Sequence, residues 1–244
     1  EPEPSLSYWK EFLEKGRSEA LFEEVLKRST QLHHPKYIGH QVGPAAPITL
    51  LTSMISAVLN NGTAVYEMGM VTNPMERIIT RLLCDKIGYN ENSSGFLTSG
   101  GTLANLTALL SARKAKVTTD VWKDGHTKPL GIMVSEEAHY CIERAAKIMG
   151  LGEKGLIKIP AKADFSMYVS SLETEYSKAS EAGIEIFAIV GSAPATATGI
   201  LDDLEAIGSF AKKYKLWYHV DAAHGGAALF SSKYKRSLNG IEKS

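Results

Sequence analysis

The chain has 244 residues, enough for one large α/β domain or two small ones with a substantial core. Hydrophobic residues make up 44% and charged residues 22%, and 27 basic side chains balance 27 acidic ones. That composition excludes a disordered chain and leaves no electrostatic footprint for nucleic acid or an acidic membrane surface.

No run approaches the ~18 apolar residues that span a bilayer, and the opening Glu-Pro-Glu-Pro-Ser lacks the basic and apolar regions of a signal peptide. Cys84 and Cys141 lie far apart, each within a helical pattern, with neither disulfide nor metal-ligand spacing. A soluble protein of a reducing, cytoplasmic compartment is expected.

Residues 6–29 place Tyr8, Trp9, Phe12, Leu21, Phe22, Val25 and Leu26 at helical spacing, an amphipathic helix or a pair broken near Gly16. His33 to Pro44 is a loop dense in Gly, Pro and His; its three histidines match no strong metal-ligand motif. Residues 48–59 resume helical character. At Asn73-Pro74-Met75-Glu76, Asn73 is the expected N-cap, Pro74 the first helical residue and Glu76 the partner of a capping box. Ile78, Ile79, Leu82, Leu83 and Ile87 form the expected apolar face, and Gly88 the stop.

From there strands and helices alternate. Gly95-Phe96-Leu97 leads through a Gly-Gly turn into a helix past Leu110. Strands are expected at 131–134, 156–159, 184–190 and from Leu216, with helices at 138–149, 166–182 and one capped by Asp202 and ending near Tyr214. Such alternation specifies a mainly parallel sheet covered by helices.

Several stretches at expected strand ends carry chemistry. Leu216 to Val220 reads as a buried strand that ends in Asp221, followed by Ala222-Ala223-His224-Gly225-Gly226. A buried carboxylate there needs a cationic or hydrogen-bonding partner, and ligands of open α/β sheets sit outside the carboxyl ends of strands. The small residues beyond it admit a flat ligand, and the combination suits the protonated ring nitrogen of pyridoxal phosphate. Taken alone, the same Asp would be read as a turn residue.

Thr98-Ser99-Gly100-Gly101-Thr102 opens a helix, so backbone N–H groups and the Ser99 and Thr102 hydroxyls can face an anion. It is no P-loop, since no Gly-Lys-Ser/Thr follows. His139 starts a helix just after a strand, where its ring could stack on a planar ligand or simply bond nearby backbone. Ser192 to Gly199 is small and hydroxyl-rich and can line a ligand edge. Gly150-x-Gly152-x-x-Gly155 matches the dinucleotide pattern but lies between a helix and a following strand, the reverse of what that fingerprint requires. A competing reading gives His219 and Asp221, two apart on one strand, to a metal.

Together, His34-Pro-Lys-Tyr-Ile-Gly-His40, Ser99-Gly-Gly-Thr-Leu-Ala-Asn105, Ser135-Glu-Glu-Ala-His-Tyr140, His219-Val-Asp-Ala-Ala223 and Leu238-Asn-Gly-Ile-Glu242 resemble the group II pyridoxal-phosphate-dependent amino-acid decarboxylases. The resemblance implies a fold-type-I aminotransferase-like large domain and pyridoxal 5'-phosphate as cofactor. It also implies an L-amino acid as substrate and a homodimer, with no nucleic acid or membrane partner.

By position, Gly101 and Thr102, with Ser99, would bind the phosphate, His139 would stack on the ring, and Thr196 would lie beside it. Asp221 would pair with the pyridine nitrogen and Ala223 would pack on the opposite ring face; His139 and Asp221 are the catalytic candidates. Residues 1–47 would form a helical segment and substrate-side loop, and 48–244 the cofactor-binding domain. Side-chain specificity would come from the 37–47 loop, His224 and a partner subunit.

Two departures stand out. Pro194-Ala195 replaces the family's usual Gly-Thr. The family's cofactor-bearing lysine follows a histidine beyond the Asn-Gly-Ile-Glu segment, and no His-Lys pair occurs here. The chain is therefore expected to be a fragment lacking that lysine and the small C-terminal domain. Other expectations kept open are a different fold-type-I reaction (transamination or carbon–carbon lysis), a non-catalytic cofactor-binding remnant, and the metal protein.

Overall fold

A computed structural model describes residues 5–16, 18–39 and 41–244. Glu1 to Pro4 and His40, part of the motif at 34–40, lie outside the described residues. The chain divides into two compact units, residues 1–64 and 65–244.

In the first unit the amphipathic run forms a pair of helices, α1 (Leu6–Glu14) and α2 (Ser18–Arg28), with Gly16 in left-handed conformation after the first. The Tyr8 hydroxyl donates to Glu24 at 2.8 Å, and Arg28 Nε donates to the same carboxylate at 2.8 Å. The third helix, α3 (Ile48–Leu59), is strongly apolar yet contains no buried residue.

The second unit opens with α4 (Thr72–Ile87), ended by Gly88 at φ 102° as expected. Its start differs from the expected one. The helix begins at Thr72, so Asn73 lies inside it and makes no cap. Glu76 accepts the Leu97 N–H at 2.7 Å, a tertiary bond in place of the local capping box.

The expected apolar face is also corrected. Ile78, Ile79 and Leu82 are exposed, while Thr80 and Cys84 are buried. Periodicity defines a stripe, but the neighbouring elements decide which side of the helix is covered.

Next come α5 (Gly101–Lys116), the single turn α6 (Val121–Asp124), β1 (Leu130–Ser135), α7 (Tyr140–Ile148) and β2 (Leu156–Ile159). The remaining elements are α8 (Leu172–Glu181), β3 (Glu185–Ser192), α9 (Leu204–Tyr214) and β4 (Trp217–Asp221). The strands form one parallel sheet in the order β2-β1-β3-β4.

Side chains alternate across it, and both faces are covered. Ile132, Val134, Ala188 and Val190 pack with Leu109 of α5 and Ile142 of α7 on one face. Met133 and Ile189 pack with Leu172 of α8 and Ile207 and Phe210 of α9 on the other. Full burial of side chains such as Ile132 and Phe187 contributes about 1.5–3 kcal/mol each.

α8 begins six residues later than expected, because residues 160–168 make a turn that the Asp202 carboxylate holds. Asp202 is not the cap of α9; that role falls to Asp203, whose side chain accepts the Ala206 N–H. Asp202 is buried and accepts the Met167 N–H at 2.7 Å and the Ser192 N–H at 2.8 Å. It thereby ties the 160–168 turn to the end of β3. Burial pushes its carboxyl above the usual range, opposed by those two bonds.

Replacing Asp202 by alanine leaves two buried N–H groups without acceptors. The Asp202→Ala variant should therefore lose about 2–4 kcal/mol of stability, read from the shift of its urea unfolding midpoint. A change within ±0.5 kcal/mol would show that water satisfies those groups.

Candidate active site

Strand order reverses between β1 and β3: the chain leaving β1 crosses to β2 on one side, and the chain leaving β3 crosses to β4 on the other. The crevice outside the carboxyl ends of strands at such a point is where open α/β sheets bind ligands. A cleft of about 240 Å³ opens there, with Gly101, Thr102, His139, Thr196, Asp221 and Ala223 on its walls. Four sequence segments, from Gly101 to Ala223, thus converge on one space. Ser99 lies on the exposed turn before α5, outside the cleft lining.

Each wall has a local cause. α5 starts at Gly101 with no side-chain cap from Gly100, so its first N–H groups have no intrahelical acceptor and the positive end of a 16-residue helix faces the cleft. A Cβ on Gly101 would come within 2.8 Å of the Ala223 Cβ. Only hydrogen fits at that position, and the space above it stays free for an anion. Gly225 is similarly constrained, since a Cβ there would overlap the Ala193 carbonyl.

His139 is the N-cap of α7: its Nδ1 accepts the Cys141 N–H at 3.3 Å. That bond is the plain helix-start role weighed from sequence, and it also fixes the ring beside the cleft. Its ring sits 4.1 Å, centroid to centroid, from that of Tyr140.

Asp221 closes the floor. β4 pairs with β3 so that Asp221 lies opposite Ser192, and its main-chain oxygen accepts the Ala193 N–H at 2.9 Å. The side chain has neutral partners. Its Oδ1 accepts the Ala223 N–H at 3.2 Å, and Cys141 Sγ lies 3.9 Å from Oδ2. Among the described residues no ion pair involves Asp221. A carboxylate on the floor of this cleft, without a cation of its own among the described residues, is a seat for a cationic ligand atom.

Sequence reasoning missed two residues behind that floor, Asn105 and Cys141. Asn105 is buried in α5; its Nδ2 donates to Cys141 Sγ at 3.4 Å, and its Oδ1 lies 2.6 Å from His219 Nε2. A buried carboxamide within an apolar helix was the available signal. Burial and the nearby Asp221 push the Cys141 thiol up to about 11. Burial pushes His219 down to about 4, against the pull of Asp221.

Both groups are therefore neutral near pH 7. The metal reading loses its ligand here, because His219 Nε2 is engaged by Asn105. Among the described residues no group of three His, Cys, Asp or Glu side chains is placed to hold a metal ion.

A parallel sheet carrying a carboxylate under a glycine-lined helix start defines the fold-type-I class of pyridoxal-phosphate proteins. The chain belongs to the pyridoxal-dependent decarboxylase family, whose conserved-domain model matches residues 22–244. The L-2,4-diaminobutyrate decarboxylase of Acinetobacter baumannii is 28% identical over 239 residues, covering 92% of this chain and 47% of that protein. Human cysteine sulfinic acid decarboxylase is 29% identical over 235 residues, covering 96% and 46%.

Among solved structures, the glutamate decarboxylase domain of a diaminobutyrate-pyruvate transaminase and L-2,4-diaminobutyrate decarboxylase from Vibrio parahaemolyticus superposes with a TM-score of 0.90 at 29% identity. It covers 98% of this chain and 56% of that one. The chain spans about half the length of the curated relatives it matches.

His219 gives the cleft a pH signature. Its folded value, about 4, lies below the ordinary ~6.5 of an unfolded histidine. Below about 6.5 the unfolded chain takes up a proton that the folded chain refuses, so stability present above that pH is lost as pH falls toward 4. Wild-type protein should thus lose more stability between pH 7.5 and pH 5 than His219→Gln, compared by urea midpoints at both pH values. Equal losses would mean that His219 titrates normally in the fold.

Proposed function

We propose that the protein containing this chain is a pyridoxal 5'-phosphate-dependent carboxy-lyase. It would release carbon dioxide from an L-amino acid, and this chain would supply the phosphate cradle and the ring contacts. The observation that carries the reading is Asp221: a carboxylate on the cleft floor with only neutral partners, in a chain of a pyridoxal-dependent decarboxylase family.

The residues fit the cofactor. The free N–H groups at the start of α5 and the Thr102 hydroxyl would bind its phosphate, with the Gly101–Ala223 approach leaving room for it. His139 would stack on the ring, Thr196 would lie at its edge, and Ala223 would support the other face. Ser99, on the turn before α5, would reach the phosphate only from outside the lining. Asp221 would hold a proton on the pyridine nitrogen. When bound, the cofactor supplies an electron sink for the pair left behind as carbon dioxide departs. The chain's part would be to keep that sink deep through Asp221, which has no cationic partner among the described residues.

The full-length protein should release carbon dioxide from at least one member of a panel containing acidic, aromatic and diamino L-amino acids. Asp221→Asn should lower that rate by about two to three orders of magnitude. Amino-group transfer to an added keto acid without carbon dioxide release would instead assign a transaminase. Turnover untouched by Asp221→Asn would remove the basis of the reading.

We further propose a homodimer in a reducing compartment, the cytoplasm. Both cysteines are free and buried, and no described helix is long and apolar enough to cross a membrane. α3 supports the dimer: Leu50, Met54, Ile55 and Val58 are all exposed, Val58 at 84%, and such a patch marks an association surface. Ile55→Glu with Val58→Glu should weaken the full-length dimer at least tenfold in sedimentation equilibrium, and an unchanged association would place the interface elsewhere.

A further inference from the structure

Behind the cleft floor, four polar side chains from three elements form one directed chain. His219 of β4 lies with Nε2 2.6 Å from Asn105 Oδ1 of α5. An amide oxygen carries no proton, so Nε2 must, and His219 is the neutral Nε2–H tautomer. That bond sets which end of the Asn105 carboxamide faces which way. Its Nδ2 is turned to α7, where it donates to Cys141 Sγ at 3.4 Å. A sulfur that accepts there has its own proton free to point onward, and Asp221 Oδ2 lies 3.9 Å away.

Among the described residues none of these contacts carries a positive charge. The thiol is held protonated by burial and by Asp221 itself, so the cluster contains one charge, the carboxylate.

We propose that Asn105 and Cys141 are positioning residues that hold the Asp221 carboxylate for a cationic ring nitrogen. His219 sets the direction of the donors, and the thiol fixes Oδ2 without neutralising it. This rests on the reading of Asp221 given above.

The arrangement solves a specific problem. A lysine or arginine in place of the thiol would orient the carboxylate just as well but would compete with the ligand cation. A weak neutral donor restrains the geometry and leaves the charge available. Oδ1 is restrained separately by the Ala223 N–H. The carboxylate is therefore gripped from behind at one oxygen and from the following turn at the other.

The test uses the full-length protein and two probes that need no lysine attachment. These are pyridoxamine 5'-phosphate and its carba analogue with C–H in place of the ring nitrogen, both titrated by calorimetry. Wild-type protein should prefer the nitrogen-bearing probe, and Asp221→Asn should remove that preference. Cys141→Ala should cut the preference about fivefold, while Cys141→Ser, which keeps a donor, should restore most of it. Asn105→Ala combined with Cys141→Ala should cost no more than the larger single change, as expected for members of one chain.

A purely structural role for Cys141 predicts equal weakening of both probes, and that result overturns the proposal. So does an unchanged preference in Cys141→Ala, the outcome if the Asn105 amide sits the other way and draws the thiol proton from Asp221. If Asp221→Asn itself leaves the preference intact, the assignment of Asp221 fails first and this inference with it.

Discussion

The site depends on a carboxylate at the end of a parallel strand, with no cation against it among the described residues. Burying an anion is costly, and the usual remedy is a salt bridge. Here Asp221 is held instead by a main-chain N–H and a thiol, and the neighbouring imidazole is itself pushed to neutrality. The arrangement is stable enough to fold because the cleft remains open to solvent above the carboxylate, and it is chemically useful because the charge stays uncommitted.

The rest of the second unit can be understood as what is needed to bring that carboxylate under an anion-binding helix start. Parallel pairing sets Val190 against His219 and Ser192 against Asp221, so the register of β4 on β3 decides that Asp221 ends at the crevice. Both sheet faces are covered, which keeps Trp217, His219 and Asp221 turned toward α5 and α7 and Tyr218 and Val220 toward the other layer. A slip of one residue would exchange the two sets. Asp202 plays a quieter part: by satisfying N–H groups at both Met167 and Ser192, it holds the end of β3, from which the Pro194–Thr196 wall of the cleft departs.

How much of this could be read from the residues varies by element. The alternation of strands and helices, the Gly88 stop and the strand ending in Asp221 were legible, because periodicity and stop signals are local. The caps expected at Asn73 and Asp202 did not form. Both are good local capping residues, but tertiary bonds claimed the groups a local cap would use: Glu76 went to the Leu97 N–H while α4 began two residues early, and Asp202 turned inward to two distant N–H groups. The apolar stripe of α4 failed in a different way, since a repeat along one helix carries no information about which neighbour will cover it.

The sequence by itself determined a parallel α/β sheet, its strand ends, and the residue types that can meet a phosphate and a protonated ring, because those depend on backbone propensity and on spacing within one segment. Only the tertiary structure decided which of those ends share a cleft, and that Asn105, Cys141 and His219 stand behind Asp221. Contacts between residues 36, 80 and 114 positions apart follow from strand order and helix packing, which no local pattern encodes.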